Sequence, residues 1–163
     1  MKILALSDSH SSLNFMRMAI NAVKPDAVVH LGDHYQDAQA MQEEYPHIHF
    51  HMVPGNCDQF LCQPNAVPVM CYAVCSVRVY MTHGHLHGVK MDTYRLERDA
   101  RQANAQIALY GHTHQADCRQ EGDLWIMNPG EAKYGGSAGL IEAQEGKIIT
   151  CRILRQVDLE EYK

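Results

Sequence analysis

Apolar residues run almost unbroken over 3–7, a length and density that predict a strand covered on both faces. Behind Ser11 and Ser12, either of which is a candidate helix cap, Leu13, Met16, Ile20 and Val23 recur at helical spacing and stop at Lys24-Pro25. A second buried run covers 27–31, and Ala38, Met41 and Tyr45 give one apolar side to a short helix over 37–45. Residues 47–53 alternate strictly, as a strand does. Two further strands are predicted over 67–74 and 77–82, then a helix over 94–104 with Leu96, Ala100 and Ala103 inward, then a strand over 107–110. The last third changes character. Its β runs, 117–121, 124–127, 138–143 and 148–154, are joined by tight turns such as Glu145-Gly146. Helix–strand alternation followed by a meander predicts an α/β (α+β) fold, sheets covered by helices with antiparallel strands closing one side.

No repeat and no Pro/Gly/Ser linker divides the 163 residues, so one domain over 1–163 is expected. A hydrophobic share of 46% and a charged share of 20% are those of an ordinary globular chain. Lys plus Arg number 14 against 19 Asp plus Glu, and the net charge of −5 denies the chain the basic face of a general nucleic-acid or membrane-surface binder. The longest nearly apolar stretch, 66–75, contains Pro68 and is too short to span a bilayer. The amino end reaches Asp8 before a signal-peptide apolar region can form, which predicts a cytoplasmic protein with its six cysteines reduced. No C-x-x-C pair suggests a structural zinc knuckle. Histidine is the outlier, at 11 residues.

Five polar clusters fall at the carboxyl ends of five predicted strands: Asp8-Ser9-His10, Gly32-Asp33, Gly55-Asn56-Cys57-Asp58, His83-Gly84-His85 and Gly111-His112-Thr113-His114. In open α/β sheets, ligands bind in the crevice beyond the strand carboxyl ends, where loops on a rigid scaffold converge. The residue types suit a cation. Asp8 and His10 lie two apart in one turn, as do His112 and His114. Imidazole suits zinc, iron or nickel, and carboxylate or amide oxygen suits manganese or magnesium. Asp8, His10, Asp33, Asn56, His83, His112 and His114 are too many for one tetrahedral ion and suit two ions bridged by a carboxylate. The glycines beside Asp33, Asn56, His83 and His112 are expected to allow sharp turns and leave room for a substrate.

The ordered blocks D-x-H, G-D, G-N-x-[DE], H-G and G-H-x-H, spread here from Asp8 to His114, resemble the signature of the calcineurin-like metallophosphoesterase superfamily. With no inserted cap domain, and with the later Asn128-Pro129-Gly130, the chain resembles most its small bacterial and archaeal phosphodiesterases and the retromer subunit of the same minimal form. The resemblance implies a four-layer αββα sandwich of two mixed β-sheets flanked by helices, with a dinuclear site at the strand carboxyl ends. It implies Asp8, His10 and His114 on one ion, Asn56, His83 and His112 on the other, Asp33 bridging, and a shared hydroxide as nucleophile. Two divalent transition-metal ions are expected, Mn²⁺ first, with Ni²⁺, Co²⁺, Fe or Zn²⁺ as alternatives. Asp33, Asn56 and His85 are the expected catalytic residues, and Cys57, His34 and His85 the expected substrate contacts. The implied activity is phosphodiester hydrolysis of a small substrate. A phosphomonoesterase or nucleotide phosphatase, and a non-catalytic protein-binding scaffold, are the alternatives. Neither specific nucleic acid nor membrane is expected as a partner, and homo-oligomers are left open.

One departure concerns the residue after Gly-Asn, which is His in many phosphatases of the superfamily and Cys57 here. Nearby cations favour thiolate, a poor proton donor, so Cys57 is not expected to act as general acid. His47, His49 and His51 read as the polar face of a strand, and His30 as structural. Cys71, Cys75 and the methionines read as packing residues.

Overall fold

The strand β1 (Lys2–Leu6) sends Ile3 and Ala5 to one face and Leu4 and Leu6 to the other, and all four are fully buried. A strand with no solvent face must lie between two packed layers. In the computed structural model, which describes residues 1–58 and 65–162, it does. After β1 come α1 (Leu13–Val23), β2 (Ala27–His30), α2 (Tyr35–Glu44), β3 (His49–Met52), β4 (Val69–Val74) and β5 (Val77–Thr82). Then follow α3 (Tyr94–Gln102), β6 (Ile107–Leu109), β7 (Asp117–Glu121), β8 (Leu124–Asn128), β9 (Ser137–Gln144), β10 (Lys147–Arg155) and α4 (Gln156–Glu160).

Among the described residues these strands make two five-stranded sheets, ordered β10-β9-β1-β2-β3 and β4-β5-β6-β8-β7. Both are mixed. In the first, β1, β2 and β3 are parallel and β9 and β10 antiparallel; in the second, β5, β6 and β8 are parallel and β4 and β7 antiparallel.

The sheets face each other across Ile3, Val29, Leu31, Met81, Leu109 and Met127. Helices α1, α2 and α4 cover the outer face of the first sheet, seating Met16, Ile20, Met41 and Leu159 on Leu4, Leu6, Val28 and Leu140. Helix α3 covers the second sheet through Leu96 and Ala100 against Tyr80, Ala108 and Ile126. The result is the expected four-layer sandwich. No helix among the described residues is long and apolar enough to cross a membrane.

Several local differences from the sequence pattern have simple causes. Helix α2 starts two residues earlier than its apolar side suggests, because His34 takes a left-handed conformation and turns the chain straight into the helix. β4 starts at Val69, after Pro68, which has no N–H for the ladder. Ser12 occupies the position before α1 but makes no side-chain cap, and the helix stops as expected at Lys24, whose N–H reaches the Ile20 carbonyl. Helix α4 escaped the pattern; its first turn is closed by the Asp158 carboxylate accepting from the Arg155 N–H at 2.7 Å.

Leu109 lies fully buried between the sheets, immediately below Tyr110-Gly111-His112. Leu109→Ala should lower the free energy of unfolding by about 2–5 kcal/mol in a urea titration, the cost of a partly collapsed core cavity. A loss below about 1 kcal/mol would mean that the inter-sheet layer is not packed as described.

Candidate metal centre

Five of the seven predicted ligand residues hold positive φ: Asp8 at 53°, His10 at 43°, Asp33 at 54°, His112 at 67° and His114 at 61°. Non-glycine residues adopt this region seldom, and so many together mark loops whose strain is held by their surroundings. What holds them is close approach of backbone. A Cβ on Gly32, whose φ is 97°, would lie 2.5 Å from the Gly55 nitrogen. One on Gly111 would lie 2.0 Å from Ser7 Oγ and 2.8 Å from Asp8 Oδ2. The space beside these glycines is therefore filled by the neighbouring loops, and the expectation that they leave room for a substrate is corrected to this tighter role.

The Asp8 N–H donates to the Gly32 carbonyl at 3.0 Å, and the Gly111 N–H to the His83 carbonyl at 2.9 Å. His83 Nδ1 crosses between the sheets to the Leu31 carbonyl at 2.7 Å. The carboxyl ends of β1, β2, β5 and β6 are thereby tied into one crevice, and it collects the predicted residues.

Asp8, His10, Asp33 and His114 bring one ligand atom each to within 4.8 Å of one another. The fully buried Asp8 accepts at Oδ2 from the Ser7 hydroxyl at 2.6 Å and the His112 N–H at 3.2 Å. Its Oδ1 is buried with no hydrogen-bond partner among the described residues, and His114 Nε2 stands 3.2 Å away. The other His114 nitrogen, Nδ1, is 2.5 Å from Glu131 Oε1. A neutral His114 that donates Nδ1–H to Glu131 turns the lone pair of Nε2 toward the Asp8 oxygen. Two electron-pair donors at that distance suit a shared cation.

The second half of the crevice repeats the logic. Because a carbonyl oxygen only accepts, His83 Nδ1 carries the proton toward Leu31, and Nε2 faces Asn56 Oδ1 at 3.0 Å and Asp33 Oδ2 at 3.5 Å. The His112 ring lies 5.0 Å from that of His83. Asp33 Oδ1 accepts the Cys57 N–H at 2.9 Å, so this carboxylate stands between the two groups of residues. Burial alone would raise the Asp33 carboxyl, but His83 and the Cys57 N–H outweigh it and hold it well below the usual carboxylate range. Burial lowers His83, while Asp33 and Asp8 raise it further, for a net upward shift. The acids that draw a proton to His83 are equally placed to draw a metal cation. Burial and the neighbouring His83 push His112 and His85 down, which favours the neutral ring that ligation needs.

Several supporting residues have roles that the sequence did not assign them. Glu131 is seventeen residues beyond His114, and no spacing rule connects them. Asn128 donates Nδ2–H to the Gly111 carbonyl at 3.0 Å and to Thr113 Oγ1 at 2.9 Å, holding the His112–His114 loop. Asp58 accepts from the N–H groups of Gly55 at 2.8 Å and Tyr35 at 3.0 Å; its place at the end of the G-N-x-D block was a usable signal. Asp37 accepts from the Ser9 hydroxyl and the Ser11 N–H, both at 2.7 Å, and fastens the Asp8–His10 turn to α2. His30 is structural, as expected. Burial lowers its pKa to about 4, and its Nε2 sits 3.1 Å from Ser9 Oγ.

The remaining predicted residues ring the crevice. His85 lies 5.5 Å from the His83 ring and 6.1 Å from the His112 ring, on a short 3-10 turn over His85–His87. The His34 ring meets His10 edge-on at 4.9 Å. Cys57 is exposed, and burial, then Asp33, Asp58 and Asp8, push its thiol up; the protein's own charges thus act opposite to the effect expected of bound cations. His51 is bound to the Tyr72 hydroxyl at 2.6 Å, and His47 and His49 are exposed, all three outside the cluster. His87 is buried against the Tyr80 hydroxyl at 3.0 Å. A cleft of about 640 Å³ borders the His112–His114 loop at Thr113 and is also lined by Lys90, Tyr110, Gln115 and Asp117.

Residues 1–145 match the calcineurin-like phosphoesterase superfamily domain. The chain is 25% identical over 136 residues to the probable metallophosphoesterase YsnB of Bacillus subtilis, covering 82% of this chain and 76% of that protein. It is 26% identical over 147 residues to the phosphodiesterase MJ0936 of Methanocaldococcus jannaschii, covering 80% and 84%. Its fold resembles that of Entamoeba histolytica Vps29 complexed with Zn²⁺, with a TM-score of 0.71, 19% identity and coverage of 95% and 99%.

Glu131→Gln removes the anion that orients His114 while keeping its shape. Partners of this kind typically contribute about 10–100-fold to metal affinity. Calorimetric titration with Mn²⁺ should show a loss of that size at one class of site, with the fold intact by circular dichroism. Unchanged affinity would remove Glu131 from the centre.

Proposed function

The chain belongs to the calcineurin-like phosphoesterase superfamily, and from that membership we propose that it is a cytoplasmic, single-domain phosphodiesterase acting on a small substrate with two divalent metal ions. The observation that carries the reading is the convergence of acceptor atoms: Asp8 Oδ1 against His114 Nε2, and His83 Nε2 against Asn56 Oδ1 and Asp33 Oδ2. The similarity to a relative named a phosphodiesterase supports the same class.

In this reading Asp8, His10 and His114 hold one ion, Asn56, His83 and His112 the other, and Asp33 both. Mixed nitrogen and oxygen donors favour Mn²⁺, Ni²⁺, Co²⁺, Fe or Zn²⁺ over Mg²⁺. Bound ions of this kind supply positive charge that lowers the pKa of water and draws off charge from a phosphoryl group. The chain's own residues set the geometry. Glu131 and the Leu31 carbonyl fix the tautomers of His114 and His83. Asn56 binds through a neutral oxygen and leaves the cationic charge uncancelled. His34 and His85 stand at the rim, where a substrate's oxygens would meet them.

Cys57 stands where many phosphatases of the superfamily carry a histidine that protonates the leaving group. Without that acid, departure rests on a stable leaving group or on a rim histidine. A diester also bears one negative charge fewer than a monoester dianion, which eases attack by an anionic nucleophile. A second reading, a protein-binding scaffold like the retromer subunit, is favoured by the fold likeness to Vps29.

Aryl phosphodiesters should be hydrolysed faster than the matching monoesters by the Mn²⁺-loaded protein, with a steep dependence on leaving-group pKa. General acid catalysis contributes about 10²–10⁴-fold, so Cys57→His should recover part of that range on monoesters with poor leaving groups. Equal wild-type rates on alkyl monoesters and aryl diesters would contradict the role given to Cys57. No turnover on any ester, with metal bound, would favour the scaffold.

Asp33→Asn should lower kcat more than loss of any ligand assigned to one ion, because it weakens both positions. A variant with normal metal content and rate would refute the bridging assignment.

A further inference from the structure

The sandwich has two open sides, and at each of them a side-chain pair spans the sheets. Where β3 faces β4, the pair is His51 and the Tyr72 hydroxyl, 2.6 Å apart. Where β10 faces β7, it is Cys151 and Cys118, with the sulfurs 3.5 Å apart and Cys118 Sγ 3.4 Å from the Cys151 carbonyl oxygen. Both strands are the outermost of their sheets. Both cysteines are half-buried and pack at the margin of the inter-sheet core, 33 residues apart in sequence.

We propose that Cys118 and Cys151 are a thiol–disulfide modification site, where an intrachain disulfide staples the free edges of the two sheets under oxidising conditions. A disulfide needs its sulfurs about 2.05 Å apart, so from 3.5 Å they must close by about 1.5 Å. The oxidant is a low-molecular-weight disulfide. Cys118, as thiolate, attacks one of its sulfurs, breaks the S–S bond and expels a small thiolate, leaving a mixed disulfide on Cys118. Cys151 then loses its proton, attacks Cys118 Sγ and expels the second small thiol. The two protein thiols give up two electrons and two protons, and the oxidant becomes two thiols. The same steps with the two cysteines exchanged give the same product, because the sulfurs lie 3.5 Å apart.

The staple also has a place in the architecture. β7 begins three residues after His114, and its first residue, Asp117, pairs with Asn128, which holds the Gly111 carbonyl and the Thr113 hydroxyl. Fastening β7 to β10 therefore stiffens the strand that leaves the crevice. Neither cysteine belongs to the crevice, so the proposal stands apart from the phosphodiesterase reading.

The test uses the full chain, reduced, freed of reductant, equilibrated with oxidised glutathione, alkylated under denaturing conditions and digested with trypsin without reduction. Peptides 102–119 and 148–152 should appear joined, with a mass two hydrogens below their sum, and separate again with dithiothreitol. Closing this loop should raise Tm by roughly 5–10 °C. Cys118→Ser and Cys151→Ser should each abolish both the link and the rise, while keeping the Tm of the reduced protein within about 3 °C. The proposal is overturned if both thiols remain alkylated at equilibrium, if Cys118 stops at a glutathione adduct, or if it pairs with another cysteine, Cys62 included.

Discussion

Two carboxylates, Asp8 and Asp33, are buried at the meeting point of two sheets, and the nitrogens of His114 and His83 are aimed at them. Burying anionic oxygen without compensation is among the most costly arrangements in a protein interior. Each carboxylate has one oxygen satisfied by N–H or O–H donors and presents the other to a histidine. Each of those histidines has its far nitrogen committed, to Glu131 or to the Leu31 carbonyl. The carboxylates draw positive charge to this point, as the upward shift of His83 records, and the proposed cations would supply it.

The fold serves this constraint by forcing loops together. Parallel strands in both sheets point their carboxyl ends at one crevice, and fully buried residues such as Leu31, Met81 and Leu109 fix the sheets beneath it. Above that layer the chain is held in left-handed conformations at Asp8, Asp33 and His112, and glycines admit backbone contacts that a methyl group would block. Strain of order 1–3 kcal/mol per residue is tolerable only because the core and the supporting bonds of Asn128, Asp58 and Asp37 over-determine the loops. A flexible surface would not gather these groups.

Much of this was legible in the sequence because the information is local. Each polar cluster abuts a β run, so strand ends and candidate ligands could be located together. Sheets covered by helices followed from the alternation of helical patterns and β runs, and the four layers were implied by the family resemblance. Illegible parts depend on distance along the chain or on conformations that side-chain patterns do not encode. Glu131 meets His114 across the whole β7–β8 hairpin. Burial and then Asp33, which is 24 residues away, push the Cys57 thiol up, and neither is visible in the residues that flank Cys57. His51 looked like one member of a polar row and is a half-buried partner of Tyr72, because β3 faces β4 across the sandwich. Nothing in the spacing of Cys118 and Cys151 announces that their strands border each other.

Anomalous diffraction from crystals grown with Mn²⁺ reads the occupancy of the crevice. Two ions with Asp33 between them would give two peaks, one against Asp8, His10 and His114, the other against Asn56, His83 and His112, with Asp33 touching both. A single peak, or peaks at His47, His49 and His51 with the crevice empty, would contradict the two-ion proposal.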